Sequence, residues 1–209
     1  MSFFDKLVLE IDKGIKFSTQ KTQRHQRLYP AEAIPEAELT EIERNHSAGL
    51  MRVNHAGEVC AQALYRGQSF SAKLEKTKKK MDKAAQEELD HLSWCNRRLE
   101  ELNENSSMLN PVWYAMSFSI GTVAGLIGDK WSLGFIDETE KQVVKHLDGH
   151  EKKISTKDKK SKAIIKQMRK EEKIHSIEAK KAGAEELPEE IKVGMSLFAK
   201  IMTKTSYYI

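Results

Sequence analysis

The chain of 209 residues holds only two cysteines, four prolines and eleven glycines. Cys60 and Cys95 make no CxxC pair and cannot build a disulfide framework, which points to a reducing compartment. With so few prolines and glycines, a β-sandwich needing many turn signals is disfavoured. An excess of one charge sign is also missing. Thirty-five basic residues against 31 acidic ones leave a net charge of +4, which does not mark a nucleic-acid binder. The basic runs Lys73–Lys83 and Lys152–Lys173 are interleaved with acids or apolar positions. They read as solvated helix faces with a mild attraction for an anionic membrane surface. The first 17 residues lack a continuous apolar run and carry Asp5, Glu10 and Asp12, fitting neither a secretory signal nor an acid-poor transit peptide. What the chain does have is charge, 32% of residues, laid over 39% hydrophobic residues that recur with helical period. The fold class is all-α.

Pro30, Pro35, Pro111 and Pro188 leave two proline-free stretches, 36–110 and 112–187, each long enough for a helical hairpin. Ahead of them, Phe4, Leu7, Val8, Ile11 and Ile15 predict an amphipathic first helix, and the polar residues 18–36 a linker. Residues 1–36 are thus set apart from a bundle over 37–209. Helices are predicted at 38–74, 78–104, 112–127, 130–154, 158–183 and 188–204. The uncharged run from Asn105 to Gly128 raises the question of a membrane span. Its apolar part, Val112 to Ile127, falls short of a ~30 Å bilayer core at about 1.5 Å per residue. Gly121 and Gly125 permit close helix approach, so the segment reads as a buried or interfacial helix. At the C-terminal end Ile191, Met195, Phe198, Ile201 and Met202 make an apolar stripe near Lys192, Lys200 and Lys204. Two such segments in one chain lead to an expectation of peripheral membrane contact.

The informative residues are glutamates on core-facing stripes. Positions three, four and seven apart share a helix face. Glu140 shares one with Leu133, Ile136, Val143, Val144 and Leu147, whereas its neighbour Glu138 lies with Lys141 and Gln142 on a solvated face. Glu172 lies with Ile165, Met168, His175 and Ala179; Glu88 with Met81, Ala84, His91, Leu92 and Cys95; Glu58 with Met51, Ala61, Gln62 and Tyr65. An ionised carboxylate on such a stripe costs several kcal/mol unless it is paired or binds a metal. None of these stripe residues is a lysine or arginine, so the four glutamates ask for a cation. Glu88-Leu-Asp-His91 and Glu172-Lys-Ile-His175 are both Glu-x-x-His, which sets carboxylate and imidazole side by side. Glu58 precedes the first by 30 residues and Glu140 the second by 32, roughly one helix and a turn. Two hairpins, each offering one Glu and then one Glu-x-x-His, supply the ligand set of ferritin-like di-iron and di-manganese four-helix bundles. Hard oxygen donors with two imidazoles exclude a thiolate zinc site and favour two iron or manganese ions. The predicted architecture is a ferritin-like four-helix bundle with extra amphipathic helices at both termini.

A third copy, Glu43-Arg-Asn-His46, lies beside Glu41 and Arg44 and reads as chance or a helix start. His55, one turn before Glu58, is read as structural or surface, with a supporting place behind the ligands as the alternative. His146 and His150 are surface residues or supports of the same kind. Tyr65, two turns after Glu58, is either core packing or a hydrogen-bond partner of the site. Both cysteines read as small buried residues. No Gly-rich phosphate loop, Ser/His/Asp set or flavin fingerprint is present.

The stretch Leu50-Met-Arg-Val-Asn-His-Ala-Gly-Glu-Val59, with Tyr65-Arg-Gly-Gln68 after it, closely resembles the first ligand helix of demethoxyubiquinone hydroxylases, the ferritin-like di-iron monooxygenases of ubiquinone biosynthesis. The resemblance continues through Glu87-Glu-Leu-Asp-His-Leu92, Ile127-Gly-Asp-Lys-Trp-Ser-Leu-Gly-Phe135, Glu138-Thr-Glu140, Glu171-Glu-Lys-Ile-His175 and the end Thr203-Lys-Thr-Ser-Tyr-Tyr. It covers nearly the whole chain beyond the first 40 residues. It implies Glu58, Glu88, His91, Glu140, Glu172 and His175 as ligands of two iron ions, the six that spacing selects. It also implies hydroxylation of the ring of a polyprenylated demethoxy-benzoquinone with O₂ and an external two-electron reductant. Peripheral attachment to the membrane holding that lipid is implied too, on the cytoplasmic side of the inner membrane in the bacterial form. A lipid-delivery accessory protein and a homo-oligomer stay open. So do two rival readings: a di-iron quinol oxidase or peroxidase on the same bundle, and a membrane-surface scaffold or lipid-binding protein without redox chemistry.

Overall fold

The computed structural model describes residues 27–209 together with Asp5, Leu9 and Asp12. The expected first helix, carried by Phe4, Leu7, Val8, Ile11 and Ile15, lies outside the described residues. Residues 27–209 form six helices, and no strand occurs among the described residues. These are α1 (Glu41–Ser71), α2 (Glu75–Glu101), α3 (Asn110–Ile127), α4 (Asp129–Lys153), α5 (Lys159–Lys181) and α6 (Glu189–Ser206), each within a few residues of its predicted bounds. No helix among the described residues is long and apolar enough to cross a membrane.

The helix ends follow local chemistry. Thr40 caps α1 in a reciprocal box: its hydroxyl accepts from the Glu43 amide at 3.3 Å, while Glu43 Oε2 accepts from the Thr40 amide at 2.9 Å. The third Glu-x-x-His is therefore a helix start. Its Glu43 serves the cap and its His46 faces the Tyr207 hydroxyl at 2.6 Å. Pro111 sits in the first turn of α3, where a missing N–H costs nothing. Asp158 accepts from the Ser161 amide at 3.0 Å to start α5.

Helices α1, α2, α4 and α5 make the four-helix bundle as two hairpins, α1 with α2 and α4 with α5. Helix α3 crosses over between them along the outside of α1, and α6 lies across α1 and α4. At one end of the bundle Met51, Leu50, Trp94, Leu99, Leu147 and Met168 pack together; at the other, Ala61, Tyr65, Met81, Leu133, Ile136 and Ala179 do. On every bundle helix the charged residues singled out above fall between these two apolar layers. Residues 27–36, read as a linker, are seated on the bundle. Tyr29 and Ala31 are buried, Arg97 lies over the Tyr29 ring, and the fully buried Arg98 binds Glu36 at 2.6 Å and Asp158 at 2.9 Å. Their polarity signalled solvent, but two arginines of α2, the part-exposed Arg97 and the buried Arg98, hold them down.

The α1–α3 crossing depends on small residues. A Cβ on Gly121 would strike the Leu64 carbonyl oxygen, and one on Gly67 would strike that of Phe118. Both obstacles are backbone, so relief requires moving a whole helix. Gly121→Ala is expected to cost about 3 kcal/mol, the upper range for overpacking. A lowered urea midpoint at unchanged slope would show this; a midpoint equal to the wild type would mean that the crossing yields.

Candidate metal centre

All six sequence-selected residues meet in the middle of the bundle: Glu58 from α1, Glu88 and His91 from α2, Glu140 from α4, Glu172 and His175 from α5. They form two overlapping groups, Glu58–Glu88–His91–Glu172 and Glu88–Glu140–Glu172–His175, each able to bring one atom per residue within 4.8 Å of the others. Glu88 and Glu172 belong to both, as bridging carboxylates would. Five of the six are almost completely buried, and His175 is nearly so.

The hydrogen bonds inside the cluster do not add up without a cation. His91 Nδ1 lies 2.9 Å from Glu88 Oε2, 2.8 Å from Glu172 Oε1 and 3.6 Å from Glu58 Oε2. His175 Nδ1 lies 3.0 Å from Glu172 Oε2 and 3.2 Å from Glu88 Oε1. One nitrogen carries at most one hydrogen, so Glu88 Oε1, Glu140 Oε1 and Glu172 Oε1 accept none in good alignment, close as some of them lie. On the outer side each ring has a carboxylate: His91 Nε2 faces Glu171 Oε2 at 2.6 Å, and His175 Nε2 faces Glu87 Oε2 at 3.1 Å. With Nε2–H donating outward, Nδ1 turns a lone pair toward the cluster, as a metal ligand does. Four carboxylates and two inward imidazole lone pairs fit two hard divalent ions, iron or manganese. No thiolate competes: Cys95 is turned toward Met168 Sδ at 3.7 Å, and burial pushes the Cys60 thiol up to about 12.

The electrostatics carry the same message. Burial pushes Glu58 and Glu140 well above the ordinary carboxylate range. Burial also opposes ionisation of Glu88 and Glu172, yet the adjacent imidazoles hold both below that range. For His91 and His175 burial disfavours charge, but the surrounding carboxylates hold His91 well above its ordinary value and His175 at about 12. Without a cation the cluster is neutralised only by gathering protons.

The outer carboxylates Glu87 and Glu171 escaped the sequence reading. Their signal is there, because both motifs are Glu-Glu-x-x-His, and the first glutamate of each supports the histidine of the other helix. Of the remaining candidates, Glu138 takes the solvated role expected of it, accepting from Gln142 at 2.8 Å. His55 is structural: it is buried, faces the Asn110 side-chain amide at 3.3 Å, and burial pushes it down to about 4. His150 faces Asn54 Oδ1 at 2.7 Å and stacks on His146, away from the cluster. Tyr65 is fully buried in the next apolar layer, and its hydroxyl has no hydrogen-bond partner among the described residues.

Beside Glu58 opens a cavity of about 330 Å³ between α1, α3, α4 and α6. Leu64, Ile120, Phe135, Val143 and Phe198 give it apolar walls, and Asn54, Gln142 and His146 offer a few polar atoms. Such a lining suits a largely apolar ligand with a small oxygenated head.

Relatives carry the comparison over almost the full length. A protein of Acinetobacter baylyi named 3-demethoxyubiquinol 3-hydroxylase is 50% identical over 205 residues, covering 98% of this chain and 97% of its own. Proteins of the same name from Pseudomonas putida and Pseudomonas aeruginosa are 49% and 48% identical, each covering 98% of this chain and 95% of their own. Residues 45–206, which hold all six clustered side chains, match the family described as Ubiquinone biosynthesis protein COQ7. The chain belongs to that family.

Proposed function

We propose that Glu58, Glu88, His91, Glu140, Glu172 and His175 hold two iron ions, and that the protein uses them to hydroxylate the ring of a demethoxyubiquinol in ubiquinone biosynthesis. The observation that carries the proposal is the buried cluster itself, with three carboxylate oxygens that accept no hydrogen bond among the described residues and both Nδ1 atoms turned inward. When bound, the iron pair supplies O₂ activation. One oxygen atom enters a ring C–H bond to give C–OH, and the other leaves as water with two electrons from an external reductant and two protons. The protein's own residues do the rest. Leu64, Phe135 and Val143 exclude water beside Glu58. Burial pushes His150 down to about 4 and lowers His146, so both imidazoles stay neutral at pH 7 and can donate to or accept from a ring oxygen. The relatives' name gives the quinol, whose two hydroxyls would use those partners.

The proposal extends to peripheral membrane contact. Val112, Met116, Val123 and Leu126 of α3 and Val193, Leu197 and Ile201 of α6 are exposed. The same two helices line the cavity, so a lipid-borne ring could enter without crossing water. Liposomes of anionic lipid should float the wild type, whereas Leu126→Glu with Leu197→Glu should stay in the soluble fraction while turning over a short-chain quinol normally. Flotation of the double variant would exclude this face. The chemistry itself is tested with a short-chain demethoxyubiquinol, a reductant and ¹⁸O₂. A ring product carrying one labelled oxygen is expected; O₂ uptake with an unlabelled ring would make the protein an oxidase or peroxidase.

A further inference from the structure

The two halves of the cluster have the same inner ligands but unequal outer support. Glu171, behind His91, accepts from Arg27 Nη1 at 2.8 Å and from Gln167. Arg27 is itself 39% exposed, but its acceptors Asp90 and Glu171 are only 9% and 16% exposed: its Nε donates to Asp90 at 2.6 Å, its Nη2 to the Glu87 backbone carbonyl at 3.4 Å, and its Cζ lies 4.9 Å from the centre of the buried Trp94 ring. Glu87, behind His175, meets Lys83 at 3.3 Å, and the two side chains are 37% and 72% exposed. A pair that open to water is loose and screened.

Resting on the two-ion reading above, we infer that Arg27 is a positioning residue that locks the Glu171–His91 pair and makes the His91 position the tighter of the two metal positions. The physical cause is that an orienting carboxylate spares the imidazole the ordering that metal binding would otherwise demand, and here that carboxylate is clamped in turn. Arg27 thereby ties the segment preceding the bundle to the metal centre.

The test is anaerobic calorimetric titration of the full-length apoprotein with Fe(II). The wild type should take up two ions, the first at least ~10-fold more tightly, in line with the 10- to 100-fold effects of supporting residues on metal affinity. Arg27→Gln and Glu171→Gln should weaken the tight ion by about 10-fold or more and leave the other unchanged, and Glu87→Gln should act on the weaker ion alone. Arg97→Gln is the control for general loosening, because Arg97 holds the same segment through Glu32 at 2.6 Å and does not touch Glu171. It should change neither affinity. Two ions of equal affinity, an unchanged tight ion in Arg27→Gln, or an equal loss in Arg97→Gln would overturn the inference and leave the two-ion reading standing. Absence of iron uptake by the wild type would instead overturn the two-ion reading.

Discussion

Glu172→Ala is expected to abolish both iron positions together and to lower hydroxylase activity at least ~10³-fold, about 4 kcal/mol of transition-state stabilisation. Glu172 belongs to both ligand groups, so neither ion keeps a full set without it. Glu140 belongs to one group only, so Glu140→Ala should lose the His175-side ion first and leave the other measurable. The same residues should cost stability when metal is absent. Glu140 is buried with Oε1 accepting no hydrogen bond, and Glu172 lies beside it. Burial keeps Glu140 protonated in the metal-free protein, and a buried polar atom left without a donor costs about 1–3 kcal/mol, a cost that an apolar side chain of similar size removes. Metal-free Glu140→Leu should therefore melt several degrees above the metal-free wild type, given roughly 2–4 °C per kcal/mol at this chain length. The order should reverse once iron is added. Two ions retained in Glu172→Ala would refute the ligand assignment, and a lower melting point for metal-free Glu140→Leu would refute the account of its cost.

This conflict between stability and ligation is what made the site legible in the sequence. Glu58, Glu88, Glu140 and Glu172 sit on stripes otherwise occupied by Met51, Met81, Ile136 and Met168, and helical period alone exposes them. The six helices were legible for a related reason: charged and apolar residues separate cleanly on each face, and Pro111 and Pro188 stand at the starts of α3 and α6. Contacts between distant segments left weaker marks. Residues 27–36 read as a linker because polar side chains look alike whether they meet water or Arg97 and Arg98. Glu87 and Glu171 were passed over because a second glutamate beside a motif ordinarily lies on a solvated face. Only the bundle shows that each reaches across to the other helix's histidine. Gly67 matters through its approach to α3, which no periodicity within α1 could announce.

Stripped of metal, the protein is expected to be most stable between about pH 4.5 and 6.5 and to lose stability on either side; iron should abolish the alkaline loss. His91 is held above its ordinary 6.5 and His175 at about 12, so above pH 6.5 the folded chain keeps protons that the unfolded chain has released. Stabilisation of this kind is complete below 6.5 and is lost as pH rises toward the folded values. Glu58 and Glu140 act in the same sense from 4.5 upward, since burial raises both. The acid side has the opposite cause: Glu88 and Glu172, held below the ordinary 4.5 by the imidazoles, lose their contribution as pH falls below it, and between 4.5 and 6.5 the loss from Glu58 and Glu140 is offset by two histidines. Burial holds His55 and His150 at about 4, so each must charge on unfolding, and its contribution disappears as pH falls from 6.5 to about 4. Two divalent ions replace the gathered protons with fixed charge, so metal uptake releases protons and strengthens with pH. Between pH 7 and 9 the metal-free protein should lose at least ~1 kcal/mol, one unit of linkage being worth about 1.4 kcal/mol, while the iron-loaded protein holds or gains. Thermal melts at fixed ionic strength, with and without Fe(II) under anaerobic conditions, would read both slopes. A metal-free melting point that rises from pH 7 to 9 would mean that the two imidazoles do not face the carboxylates as the structure places them.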